Sequence, residues 1–227
     1  MSLPWLEPDA EPAFPPVETA MTDPDGLLAA GGKLSPAWLV TAYSQGIFPW
    51  FEVGQPVLWW SPDPRLVIYP ERVKISRSMR KLIRKQPYLI TMDSNFAAII
   101  HSCKSERDNA TGTWITDEMQ AAYIRLHEFG LAPSIEVWAG SAIVGGLYGV
   151  ALGKVFFGES MFSRQANASK IALIALALQL QRWQFGLIDC QVSSQHLLSM
   201  GAEAISRHNF CVQLRDLAAH DLQPGPW

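Results

Sequence analysis

The stretch Ser134–Ser160, "SIEVWAGSAIVGGLYGVALGKVFFGES", decides the fold. Three runs rich in β-branched and aromatic residues are broken only by "AG" and "LG", which are turn signals. The spacing predicts a three-stranded antiparallel meander. Gly145, Gly146 and Gly149 fall inside the middle strand, where glycine marks a bulge or a close approach of a ligand to the backbone. The third strand stops at Gly158–Glu159. "SMFSRQANASK" then leads through a polar loop into an apolar helix over 168–185, ended by Gly186. "LIDCQV" (187–192) is a further short strand. The order β-β-β-α-β predicts an α+β fold, with helices packed on a mostly antiparallel sheet.

Working towards the N-terminus, "TDEMQAAYIRLHEFG" has an acidic first turn, apolar positions at Met119, Ala122, Tyr123 and Leu126, and Gly130 as its stop. It is predicted to be a helix. "YLITMD" and "RLVIYP" read as strands. Between them "SRSMRKLIRKQ" reads as a helix capped by Ser76, with Arg77, Arg80, Lys81, Arg84 and Lys85 on one face and Met79, Leu82 and Ile83 on the other. "SPAWLVTAYSQG" is a helix with Ser35 as N-cap, Pro36 at its first position and Gly46 at its end. "IFPWFEVGQPVLWWSPDPR" is expected to lack regular structure because its prolines remove donors and fix φ. Residues 1–26, rich in proline and acids, are expected to form an extended lead-in. The division expected is a small N-terminal domain at 1–64 and a larger domain at 65–227. "SQHLLSM" and "FCVQLRDL" finish the chain as short elements.

Of the 227 residues, 48% are hydrophobic and 17% charged, which supports a packed core rather than a disordered chain. A net charge of −3 argues against non-specific duplex binding, though not against a local basic patch. The three cysteines are far apart and the histidines show no ligand spacing, so neither a disulfide framework nor a metal site is indicated. No signal-peptide pattern opens the chain, and its longest apolar run, "IALIALAL", is far short of the roughly 20 residues of a membrane span. A cytoplasmic location, with no membrane contact, is expected.

Some residues are candidates for chemistry. Asp189 and Gln191 lie two apart in a strand and so are expected on one face. Unpaired burial of such groups costs a few kcal/mol. Glu159 is either a helix-entry carboxylate or, flanked by Phe156, Phe157, Met161 and Phe162, a polar group at the edge of an apolar pocket. Trp50, Trp59, Trp60 and Trp114 stand in loop-like contexts. Tryptophans mostly pack, but a ring presented by a loop can stack on a base, worth ~1–3 kcal/mol. With the basic face of the 77–85 helix this makes a possible RNA site, although such a face is more often merely solvated. No P-loop, GxGxxG, GxSxG or kinase motif is present.

Taken together and in order, "GLLAAGGKLSPAWLVTAYSQGIFPWF", "LWWSPDPR", "ISRSMRK", "GTWIT", "AYIRLHEFG", "SIEVW", "GGLYGV", "GESMFSR", "NASK" and "LIDCQ" resemble the leucyl/phenylalanyl-tRNA–protein transferases. The resemblance covers residues 26–210. It implies a small N-terminal domain followed by one similar to the GCN5-related acetyltransferases. It also implies transfer of leucine or phenylalanine from leucyl-tRNA or phenylalanyl-tRNA to proteins with N-terminal Arg or Lys, which marks them for degradation by the N-end rule. No cofactor is implied, and the protein is expected to act as a monomer.

By the same resemblance, Trp50 and Trp114 would sandwich the terminal adenosine, supported by Tyr43 and Tyr123. Leu147, Phe156, Leu173 and Leu176 would line the aminoacyl pocket. Glu159, Asp189 and Gln191 would hold the ester and the incoming amine, with Asp189 as the hydrogen-bond or proton acceptor. Arg77, Arg80, Lys81, Arg84 and Lys85 would contact acceptor-stem phosphates. Some relatives carry methionine or phenylalanine where this chain has Leu147, Leu176 and Leu180, which leaves the balance between the two amino acids open. The rivals are an acyl-CoA N-acetyltransferase and a non-catalytic RNA-binding module. The first needs a glycine-rich turn for pyrophosphate, which "SMFSRQANAS" lacks. The second leaves Glu159, Asp189 and Gln191 without a role.

Overall fold

A computed structural model describes residues 3–108, 114–220 and 227. Two sheets form. The first has the order β1 (Trp5–Leu6), β2 (Leu27–Gly31), β4 (Leu58–Trp60), β3 (Phe48–Pro49), with α1 (Pro36–Ser44) between β2 and β3. Two expectations change here. The lead-in supplies β1, which pairs parallel to β2, and the proline-rich stretch still forms β3 and β4. Pro49 is tolerated because β3 is an edge strand. α1 begins as its caps dictate: the Ser35 hydroxyl accepts from the Trp38 amide, and Gly46 turns the chain away at φ 77°.

The second sheet is built from β5 (Arg65–Ile68), β6 (Leu89–Met92), β7 (Ser134–Ala139), β8 (Ala142–Leu152), β9 (Val155–Ser163), β10 (Leu187–Gln191) and β11 (Glu203–Ile205). Its spatial order is β11-β5-β10-β9-β8-β7-β6. Only β9 and β10 run parallel, joined by the crossover helix α5 (Ala168–Arg182). All the other pairs are antiparallel, as the α+β reading expects. The remaining helices are α2 (Arg77–Arg84), α3 (Phe96–Asp108), α4 (Asp117–Glu128), α6 (Gln195–Ser199) and α7 (Arg207–Ala218).

The meander is buried on both faces because α5 covers one and α3 the other. Sequence patterning assigns α3 to no element. Its apolar residues Phe96, Ile99, Ile100 and Cys103 join the core beside Met119, Tyr123 and Tyr148. The glycines of β8 answer close packing within the chain itself. A Cβ on Gly145 would lie 2.5 Å from that of Ala168, at the start of α5. At Gly149 it would lie 2.1 Å from the Phe157 carbonyl and 2.6 Å from the Phe156 ring, beside a register shift. α5 ends three residues earlier than its glycine suggests. Gln184 takes the left-handed turn at φ 58°, and Gly186 is bare because the Leu217 side chain would lie 2.6 Å from its Cβ.

One ion pair sits at the centre of the strand pairing. Arg65 of β5 donates through Nε and Nη2 to the two carboxylate oxygens of Asp189 on β10, at 2.8 and 2.7 Å. Both side chains are 0% exposed. The guanidinium is stacked between the rings of Phe48 and Phe210, 4.8 and 4.6 Å from their centroids. It therefore ties β3, β5, β10 and α7 together. Removing one partner of such a pair leaves a buried charge uncompensated, at a cost of about 3–5 kcal/mol, whereas replacing both is often near neutral. Urea unfolding should therefore show Arg65→Met losing about that much stability and Arg65→Met with Asp189→Leu recovering most of it. Equal losses in the single and double variants would sink this account.

Candidate functional site

The parallel pairing of β9 with β10 covers only Val155–Phe157 against Leu187–Asp189. Beyond it the strands part, because β9 continues along β8 while β10 bulges at Cys190–Gln191. The gap opens into a cavity of about 340 Å³, a size typical of ligand pockets. Its apolar wall includes Leu147, Phe156, Leu173, Leu176 and Ile188. All four residues assigned to the aminoacyl pocket are therefore brought together. Leu180 is not part of the wall. It is buried in the core behind it.

Trp50 and Trp114 both line this cavity. Trp50 is 47% exposed, and its place is fixed from behind: the Trp60 indole donates to the Trp50 carbonyl at 2.6 Å, with the two rings 5.5 Å apart. Trp59 and Trp60 are not loop rings. They lie on β4, where Trp59 is buried, stacks on Trp38 and donates to the Gly31 carbonyl. Gly112 and Thr113, which begin the "GTWIT" motif, lie outside the described residues.

Glu159 lines the cavity and is otherwise sealed. Tyr43 of α1 donates to its Oε1 at 2.7 Å, Tyr123 of α4 to its Oε2 at 2.8 Å, and the Gln191 amide to Oε1 at 2.9 Å. The two tyrosine hydroxyls are also hydrogen-bonded to each other. Neither tyrosine lines the cavity. They stand behind Glu159 and hold it, while Glu159, Trp50 and Trp114 line the same chamber. Each hydroxyl carries one proton, so with Glu159 ionised the two tyrosines have two protons for three hydrogen bonds, and one proton taken up supplies the third. Burial pushes the Glu159 carboxyl up to about 7 against the lowering pull of its three donors. Burial and the nearby Glu159 push both tyrosines well above their usual range, so they stay protonated. A carboxylate offers about four lone-pair sites, and the donors use three, which leaves one free on Oε2.

Asp189 and Gln191 do not share a face. The bulge, with Gln191 at φ 63°, turns the Gln191 side chain to the cavity beside Cys190. Asp189 stays on the opposite side with Arg65, and its Oδ1 also accepts the Gln191 backbone N–H at 2.9 Å. The expectation that Asp189 meets the incoming amine is thus corrected. With both oxygens engaged and no exposure, it fixes the bulge that aims Gln191.

The β9–α5 loop is closed on itself. The Ser163 hydroxyl accepts the Ser169 amide, the Gln165 carbonyl accepts the Ala168 amide, and Arg164 pairs with Glu106. Those leading α5 amides are already engaged and cannot hold a pyrophosphate, which removes the basis for acyl-CoA binding there. Arg77, Arg80, Lys81, Arg84 and Lys85 are all exposed on or just after α2, with Met79 buried beneath them. No helix among the described residues is long and apolar enough to cross a membrane.

Residues 32–63 match the family described as "Leucyl/phenylalanyl-tRNA protein transferase N-terminal domain", and residues 67–215 match "Leucyl/phenylalanyl-tRNA protein transferase". The chain is 54% identical over 225 residues to the leucyl/phenylalanyl-tRNA–protein transferase of Aromatoleum aromaticum, covering 99% of this chain and 94% of that one. It is 56% identical over 227 residues to that of Pseudomonas fluorescens, covering 99% of each. Among solved structures it aligns with a GCN5-related N-acetyltransferase from Kribbella flavida at a TM-score of 0.38 and 10% identity, covering 75% of this chain and 61% of that one. With both family segments matched in tandem, and relatives more than half identical along nearly the whole length, the chain belongs to the leucyl/phenylalanyl-tRNA–protein transferase family.

Proposed function

We propose the following course for the leucyl/phenylalanyl-tRNA–protein transferase activity that family membership gives this chain. The observation that carries it is the cavity itself, an apolar chamber with Trp50 and Trp114 in its lining and a donor-held carboxyl opposite an amide. The leucyl or phenylalanyl side chain enters among Leu147, Phe156, Leu173 and Leu176, where its burial contributes about 1.5–3 kcal/mol. The terminal adenosine stacks on Trp50 and Trp114. The exposed basic residues of α2 meet acceptor-stem phosphates. The acceptor is a protein with N-terminal Arg or Lys, and its new N-terminus marks it for degradation by the N-end rule.

The reaction is aminolysis of an ester, so the driving energy is already in the charged tRNA. The α-amine of the acceptor attacks the ester carbon. A nitrogen–carbon bond forms, the bond to the ribose oxygen breaks, and one proton passes from the nitrogen to that oxygen. Gln191 holds Glu159 with one Nε2 proton and offers the second to the ester carbonyl, as an oxyanion donor does. Glu159 accepts the amine proton at its remaining Oε2 site, with a pKa near the working pH, where a general base is most effective. Tyr43 and Tyr123 steady the protonated carboxyl by completing their hydrogen-bonded ring, and Glu159 then returns the proton to the departing ribose oxygen, which restores its ionised form. Asp189 positions Gln191 and does not touch substrate. Holding amine and ester together lowers the barrier by several kcal/mol more.

With leucyl-tRNA and a peptide beginning with arginine, the protein should place leucine on the peptide. Absence of transfer would overturn the reading. Trp50→Ala or Trp114→Ala should raise KM for leucyl-tRNA by the roughly 5–150-fold that ~1–3 kcal/mol of stacking implies. The base form of Glu159 exists only above its raised pKa, so kcat/KM should fall as pH drops through about 7. Glu159→Gln should abolish that limb and leave only the ionisation of the peptide amine. An unchanged profile would exclude Glu159 as the base. Arg80→Glu and Arg84→Glu should each weaken tRNA binding and flatten the plot of log K against log salt by about one unit for each phosphate no longer neutralised.

A further inference from the structure

One side of the cavity has no part in the transfer steps. His196 lies on α6 and lines the chamber, with Ser194 and Leu197 beside it. Its Nε2 is buried and has no hydrogen-bond partner among the described residues. The lining of the chamber also includes the aliphatic Leu173 and Leu176 of α5 and Ile188 of β10. A buried ring nitrogen in such surroundings is costly to leave unmet, and a polar group on the occupant of the cavity is what can meet it. Burial and the charge of Lys170 hold the imidazole below its ordinary pKa, so at neutral pH the ring is uncharged and one nitrogen keeps a lone pair.

The chemistry of the occupant narrows the partner. Leucine or phenylalanine seated on Leu173 and Leu176 brings two polar groups on its Cα. One is the ester carbonyl, for which the second Nε2 proton of Gln191 provides. The other is its own α-amine, which as an ammonium group has only donors to offer and needs an acceptor. We infer that His196 holds the α-amine of the aminoacyl group on the charged tRNA, accepting a hydrogen bond from it at Nε2. The inference rests on the reading of the cavity as the aminoacyl site. It gives the site a second selection besides side-chain shape, since a donor whose amine is missing or acylated cannot make this hydrogen bond. His196 and Glu159 then serve two different amines, that of the donor and that of the acceptor.

The test pairs a residue with a substrate group. Dissociation constants would be measured by filter binding for leucyl-tRNA and for isocaproyl-tRNA, which has the same side chain and ester without the α-amine. Wild-type protein and the His196→Phe and His196→Gln variants would be compared. We expect His196→Phe to weaken leucyl-tRNA roughly tenfold, the factor of one hydrogen bond removed, and to leave isocaproyl-tRNA within about twofold. Glutamine, whose side-chain carbonyl is also an acceptor, should restore part of the affinity. Equal weakening with both donors would mean that His196 only shapes the wall, and no weakening with leucyl-tRNA would mean that it does not meet the amine. Either result overturns the inference while leaving the transferase reading intact. If wild-type protein neither prefers leucyl-tRNA to uncharged tRNA nor transfers leucine, the functional reading fails first and the inference with it.

Discussion

A carboxyl group shut away from water must be met by donors, and at Glu159 that requirement organises the molecule. Tyr43 comes from a helix beside the first sheet, Tyr123 from a helix packed against that one, and Gln191 from a strand of the second sheet. Three separate elements must arrive within hydrogen-bond reach of one side chain. Tyr43 is 116 residues away from it in the chain. The same donors that make burial tolerable also create a place where a proton can be received. The cost of the buried group and its chemical use are one arrangement.

The second constraint is the split between β9 and β10. A parallel pair stays closed only while its backbone groups face each other, and the bulge at Cys190–Gln191 ends that match. The Arg65–Asp189 pair keeps the bulge in place from the buried side. What opens is a chamber whose walls are the ordinary apolar faces of α5, β8 and β9, with polar groups only where β9 and β10 part and along α6. The side-chain pocket is thus a by-product of sheet geometry, and the chemistry sits at its seam.

The elements that carry the apolar half of the site were legible from local patterning, while the choice of its residues came from the family resemblance. Leu147 and Phe156 lie in the meander, Leu173 and Leu176 on a helix read directly from its apolar run. Trp50 and Trp114 were legible through motif alone. The polar half was legible as residue types and not as geometry. Asp189 and Gln191 were expected side by side because a regular strand alternates with period two, and a single left-handed residue breaks that rule. The contacts of Tyr43 and Tyr123 with Glu159 were not legible, since nothing local marks a tyrosine that donates to a carboxyl far away in the chain. α3 was missed although Asn95, a favoured N-cap residue, accepts the Ala98 amide at its start. His196 carried no local signal at all.

The sequence by itself determined several helix starts and the turns of the meander, because caps, turn glycines and apolar period act over a few residues. Ser35, Ser76 and Thr116 each cap the helix they precede, and the "AG" and "LG" turns close the meander. It also determined the family, through motifs in order along the chain. Only the tertiary structure decided which polar groups meet. Arg65 finds Asp189 across 124 residues, and that separation carries no trace in local patterning. The physical reason is range: propensity and periodicity are set by neighbours in the chain, while the burial of a charge is resolved by whatever the fold brings to it.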